Sequence, residues 1–236
     1  RPPISTLFPN TTLFRSDLAT SLPVLLLHGA ANDSDAWRGV MQQLGAEGIP
    51  VLAPDLPGHG LSTGSPLGSV EALAGLVIAL LDALGIEQVV LAGHSMGSLI
   101  ALETAVRYPQ RVARLALLGT TAPMAVSESL LQAATSRPDE ACRLIMKFSH
   151  TPRFMLRGSA GHGAWGPGGT LAILRRSHPG VLASDLANCN QYSNGLAAAG
   201  AVTCPTLLIS ARRDRMTPVR SSAALHHTAT GDLPGE

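Results

Sequence analysis

Five short apolar runs, separated by stretches of helical period, restrict the fold of this chain more than any other feature of its sequence. Residues 24–27 end at His28-Gly29, 51–53 at Pro54-Asp55, 89–92 at Gly93 and 115–118 at Gly119, while 206–209 open after Pro205. Runs this short, apolar throughout rather than alternating, fit strands buried on both faces of a parallel sheet. Between them, 34–47 can start at a Ser34 cap. Leu73, Leu76, Val77, Leu80, Leu81 and Leu84 form an i, i+3, i+4 stripe that stops at Gly85, and Leu99, Leu102, Ala105 and Val106 repeat that spacing before Pro109. Strand–helix alternation predicts an α/β fold, a mostly parallel doubly wound sheet with right-handed crossovers and helices on both faces.

The rhythm breaks between residues 121 and 202, a span far longer than an ordinary strand-to-helix connection. It is read as an inserted helical cap, with helices over 127–135, 138–150 and 178–190 and a Gly-rich loop over 158–169. Residues 17–120 and 203–236 are then the core. Residues 1–16 are set aside, because 7–16 (LFPNTTLFRS) resemble the translation of a DNA-sequencing adapter with Asn10 as the one departure, and no Met starts the chain. The native amino terminus is therefore expected to be absent. No continuous apolar segment precedes a small-residue cleavage site, and the cytoplasm is favoured over secretion.

Composition excludes several classes. At 236 residues the length suits one domain, and no apolar run reaches the roughly 18 residues of a membrane helix. A net charge of +1 and 3% aromatic residues leave neither a basic stripe for phosphates nor rings for stacked bases, so no nucleic-acid partner is expected. Cys142, Cys189 and Cys204 lack CxxC spacing, which argues against disulfides and zinc. Gly161 to Gly166 match G-x-G-x-x-G but follow no strand, and the only lysine is Lys147, so no P-loop exists. His28, His59 and His94 follow strand ends without a ligand pattern. No metal and no cofactor are expected.

Gly93-His94-Ser95-Met96-Gly97 lies between an apolar strand and a helical run, the setting of a G-x-S-x-G nucleophile elbow. The flanking glycines allow the sharp, strained turn that exposes Ser95 Oγ. Together with His28-Gly29-Ala30-Ala31 after the first run, this motif makes the chain resemble the α/β-hydrolase fold family, in its serine esterase or lipase-like, capped branch. The resemblance implies that Ala30 and Met96 backbone N–H groups form an oxyanion hole, that 54–62 (PDLPGHGLS) is the scaffold loop D-x-x-G-x-G-x-S, and that Asp214 is the triad acid. It assigns Asp55, His59 and His28 to loop structure. By the same comparison the first two strands and the last strand and helix of the usual sheet are expected to be missing.

The family's catalytic histidine follows the acid by one further strand. Here only His226 and His227 come after Asp214, both within 221–229, which reads as a helix. The base is expected to lie outside this chain, leaving it with little activity, and His226 or His227 as an improvised base is the alternative. Carboxylic ester hydrolysis through an acyl-enzyme, on a small apolar substrate, is the expected activity. Carbon–carbon bond hydrolysis and cofactor-free peroxidase-like chemistry are alternatives in the same fold, and a non-catalytic small-ligand module is one from another class. Ser rather than Asp at the elbow argues against dehalogenase and epoxide hydrolase chemistry. Met146, Phe148, Phe154, Met155 and Trp165 are candidates for an acyl pocket or for the cap's own core.

Overall fold

A computed structural model of the 236-residue chain describes residues 12–14, 22–151 and 166–230. Its sheet has the order β1-β3-β2-β4-β5-β6, built from β1 (Thr12–Phe14), β2 (Val24–Leu27), β3 (Val51–Ala53), β4 (Val89–His94), β5 (Val112–Leu118) and β6 (Thr206–Ile209). Strands β2 to β6 are parallel, as the pattern predicts, and β1 runs antiparallel to β3. That edge strand lies within the segment set aside above. Pairing at an open edge uses backbone groups alone and needs no particular side chains.

The uninterrupted apolar runs have a direct structural reason. Side chains alternate across a strand, so Leu25 and Leu27 enter one core with α2 (Val70–Ala83) and α3 (Met96–Arg107), while Leu26 enters another with Trp37 and Met41 of the helical segment after β2. Both faces are covered, and both alternate sets must be apolar. Each fully buried Leu contributes roughly 1.5–3 kcal/mol against exposure. Helix α2 buries Val70, Leu73, Ala74, Val77, Leu80 and Leu81 along one stripe; it begins before the predicted Leu73 because Ser69 caps it, accepting the Ala72 N–H at 3.1 Å. The predicted helix at 34–47 is instead a 3₁₀ turn (Ser34–Trp37) followed by α1 (Arg38–Ala46). Its cap is Asp33 rather than Ser34, the Asp33 carboxylate accepting Asp35 N–H at 3.0 Å.

The insertion between β5 and β6 is helical: α4 (Glu128–Ser136), α5 (Pro138–Ser149), α6 (Gly166–Arg176), α7 (Val181–Gln191) and α8 (Gly195–Ala201). The helix expected over 127–135 is α4, with Ser127 as its cap. Residues 166–169, read as loop, form the first turn of α6, and the rest of the Gly-rich stretch lies outside the described residues. The α8 sequence, GLAAAGA, has too little apolar contrast to show a period. Buried residues of α4 to α7, among them Cys142, Ile145, Leu174, Leu182 and Leu186, pack together with Ala31 of the core. The last element among the described residues is α9 (Val219–Thr230). Among the described residues no helix is long and apolar enough to cross a membrane.

Candidate active site

Ser95 sits where β4 turns directly into α3, at φ 53° and ψ −121°. A left-handed conformation costs an L-residue about 1–2 kcal/mol, so it needs support. Ser95 N–H donates to Leu118 O at 2.9 Å, and Ser95 O accepts both Ser98 N–H at 2.8 Å and Ser98 Oγ–H at 2.5 Å. The glycines are set by contact. A Cβ on Gly93 would strike the Gly97 carbonyl, and a Cβ on Gly97 would strike the Leu27 and His28 carbonyls of β2 and its loop. The helix can start this close to the sheet only because both positions lack a side chain. Its first amides, Met96 N–H foremost, therefore face the Ser95 turn with the positive end of the helix dipole.

The loop after β2 is pinned from several sides. Asn32 N–H and His28 Nδ1–H both donate to Gly29 O, at 3.1 and 2.9 Å, and Asn32 Nδ2–H donates to Ala30 O at 3.2 Å. Leu56 N–H donates to His28 Nε2 at 3.1 Å, which fixes His28 as the neutral tautomer protonated on Nδ1. Burial first, and the nearby His59 second, push its pKa down to about 4. His28 is thus a structural residue of the loop, as expected. Asp55 is likewise committed to its turn, accepting Ser34 N–H at 2.7 Å and Leu61 N–H at 3.0 Å.

His59 is buried, and its partner was not legible in the sequence. Its Nε2 lies 2.7 Å from Asp185 Oδ2 on α7, and the same oxygen accepts Ala31 N–H at 2.8 Å. A lone Asp within a predicted helix carries no signal of such a role.

Ala30, Ser95 and Asp214 line one cavity of about 430 Å³. Met96, the first residue of α3 after Ser95, does not line it, and its side chain is buried in the core beneath. Asp214, in the loop after β6, is half-buried. One of its carboxylate oxygens accepts Met216 and Thr217 N–H, and the other accepts Thr217 Oγ1–H, all at 2.8 Å. His28 and His94 are the histidines on the cavity wall among the described residues. The His94 ring lies against Gly29 and Gly119. His226 is exposed on α9 and does not line the cavity; the side chain of His227 lies outside the described residues.

Met124, Leu130, Ile145, Leu174 and Leu186 give the cavity its apolar side. Of the candidates expected from sequence, Met146 and Phe148 do not line the cavity; Ile145 of α5 does, and Phe148 is exposed beneath the Arg215 guanidinium at 4.8 Å. Phe154, Met155 and Trp165 lie outside the described residues. Lys and Arg are absent from the cavity wall among the described residues.

Comparison with known proteins places this geometry. A profile of the alpha/beta hydrolase fold matches residues 23–167. A putative non-heme haloperoxidase from Mycobacterium phage D29 is 36% identical over 108 residues, 45% of this chain and 39% of the phage protein. The 2-hydroxy-6-oxo-2,4-heptadienoate hydrolase of Pseudomonas putida is 38% identical over 109 residues, 44% of this chain and 39% of that enzyme. The matched stretch thus spans well under half the length of these relatives. Among solved structures, the enol-lactonase from Burkholderia xenovorans LB400 superposes with a TM-score of 0.81 at 21% identity, over 93% of this chain and 84% of that one.

Proposed function

We propose that this chain, which belongs to the alpha/beta hydrolase fold family, carries the nucleophile end of a serine hydrolase acting on carboxylic esters with an apolar acyl group. In this reading Ser95 Oγ attacks the acyl carbonyl, and the carbonyl oxygen gains negative charge between Ala30 N–H and Met96 N–H. The alcohol leaves, and water releases the acyl group from Ser95. Each oxyanion donor can supply about 2.7–4 kcal/mol in the transition state. Asp214 would orient the imidazole that takes the Ser95 proton. The observation that carries the reading is Ser95 itself, held at positive φ at the start of α3 on the wall of the cavity that also holds Ala30.

Among the described residues, the hydrogen bonds to the Asp214 carboxylate come from its own loop, from Met216 and Thr217. The histidine serves both half-reactions, taking the Ser95 proton in acylation and activating water in deacylation, so where no imidazole bridges Asp214 and Ser95 both steps are expected to be slow, by about a millionfold in a serine protease. A covalent adduct collected over a long incubation is then a better readout than turnover, because it accumulates as long as deacylation stays slow. Incubation with p-nitrophenyl esters from acetate to octanoate, followed by intact-mass analysis, should give a +acyl adduct that Ser95→Ala abolishes. An adduct that survives Ser95→Ala contradicts the reading.

Carbon–carbon bond hydrolysis has one observation in its favour, the similarity to the Pseudomonas putida hydrolase. That relative's named substrate carries a carboxylate. The cavity wall among the described residues offers no Lys or Arg to meet one, which favours a neutral acyl group. Binding of an apolar ester without any acylation would instead indicate a non-catalytic ligand module.

A further inference from the structure

We propose that Asp185 of the inserted helix α7, together with His59, positions the oxyanion loop, so that the insertion and not the core alone sets the peptide between Ala30 and Ala31. The inference rests on the assignment of Ala30 N–H as an oxyanion donor. Ala31 takes φ 53°, one of two non-glycine residues at positive φ among the described residues; the other is Ser95. The two strained positions flank the same cavity. At Ala31 the left-handed turn is tied down by its N–H donating to Asp185 Oδ2 at 2.8 Å and by Ser177 Oγ–H donating to Ala31 O at 2.7 Å. Both partners belong to the segment inserted between β5 and β6. Turning this peptide would carry Ala30 with it and re-aim the neighbouring amide.

The Asp185 carboxylate is 1% exposed and so requires a counter-charge. Geometry identifies it. His59 Nε2 faces Asp185 Oδ2 at 2.7 Å and His59 Nδ1 faces Pro57 O at 3.1 Å. Both partners are acceptors, so both ring nitrogens donate and His59 is an imidazolium. The groups around it are compatible: His28, with ring centroids 4.8 Å away, is neutral in its fixed tautomer, and the Asp55 carboxylate lies in the same turn. Burial alone would lower the His59 pKa, but Asp185 and the backbone carbonyls outweigh it and raise it above 6.5. Deprotonation would remove the His59 donor from either Pro57 O or Asp185, leaving Ala31 N–H as the donor to Asp185 Oδ2. Asp185 is a positioning residue here, acting through the loop rather than on substrate.

The test compares wild type, Asp185→Asn, His59→Gln and Ser95→Ala by three readouts: amide hydrogen exchange at Ala31, covalent labelling of Ser95 by an alkyl fluorophosphonate followed by mass, and the His59 ring titration by NMR. Asp185→Asn should speed Ala31 exchange at least tenfold and slow Ser95 labelling by roughly 10- to 100-fold, part of the effect of losing an oxyanion donor. It should also lower the His59 pKa. The ratio of wild-type to His59→Gln labelling should fall as pH rises through the His59 value, a dependence that a purely structural role would not produce. Unchanged Ala31 exchange, or unchanged labelling in Asp185→Asn, would overturn the inference. If Asp185→Asn does not fold, His59→Gln decides on the same two readouts. If wild type labels no faster than Ser95→Ala even with free imidazole supplied as the base, the serine reading fails while Ala31 exchange still judges the coupling.

Discussion

Strands β4 and β6 each end in a loop that brings a polar residue to the cavity, and they are held there by very different amounts of protein. Strand β4 lies between β2 and β5. Leu91 and Ala92 are buried, α3 leaves it without an intervening residue beyond Ser95, and Gly97 touches the β2 backbone. Among the described residues strand β6 pairs on one side only, with β5, and leaves Leu207 59% and Ile209 45% exposed. Ser95 is thus fixed by backbone contacts that admit no substitution, whereas Asp214 is fixed by hydrogen bonds within its own turn. A residue at positive φ needs a rigid surround because its conformation is costly, and the proposed nucleophile has one. In the same proposal Asp214 only orients a partner, a role that a local turn can hold.

The sharpest way to break this contrast is Gly97→Ala. The new Cβ meets the Leu27 and His28 carbonyls, neither of which can move without shifting β2, so a loss of about 3 kcal/mol or more in urea unfolding is expected. A loss under about 1 kcal/mol would mean the elbow is far looser than its contacts imply.

The nucleophile end should also be linked to pH. His28 is held neutral with a pKa near 4, so stability should fall as pH drops from 6.5 toward 4, by about 3 kcal/mol in full. His59, raised above 6.5, contributes fully below that value and loses its contribution as pH climbs through its folded value. Urea midpoints from pH 4 to 9 should therefore peak near 6.5, and a profile that rises steadily to pH 9 would contradict the imidazolium at His59. The smallest effect is expected at the other end of the sheet. Leu207→Ser changes an exposed side chain and should alter stability by no more than about 0.5 kcal/mol; a larger loss would show β6 to be supported by more than its pairing with β5.

The same contrast explains what could be read from sequence. The apolar runs at 24–27, 51–53 and 206–209 coincide with β2, β3 and β6, and the elbow glycines were legible because the steric demand is local to five residues. Helix ends shifted where a side chain competes for capping, as Asp33 displaces Ser34 and Ser69 starts α2 early. Long-range polar pairs left no trace. Asp185 meets His59 and Ala31 across more than a hundred residues, and no pattern within α7 marks it. The cavity wall could not be assigned either, because which face of α5 turns inward depends on α4 and α6 packing around Ile145.

The account's central claim is that the nucleophile and its oxyanion amides are assembled in this chain, and chemical rescue tests it most directly. Acylation of Ser95 by p-nitrophenyl acetate, followed by intact mass and peptide mapping, is measured with increasing free imidazole. The account predicts an adduct on Ser95 whose formation accelerates with saturation, is weakened in Asp214→Asn and is absent in Ser95→Ala. Equal acceleration in Ser95→Ala, or an adduct mapped to another residue, would contradict it.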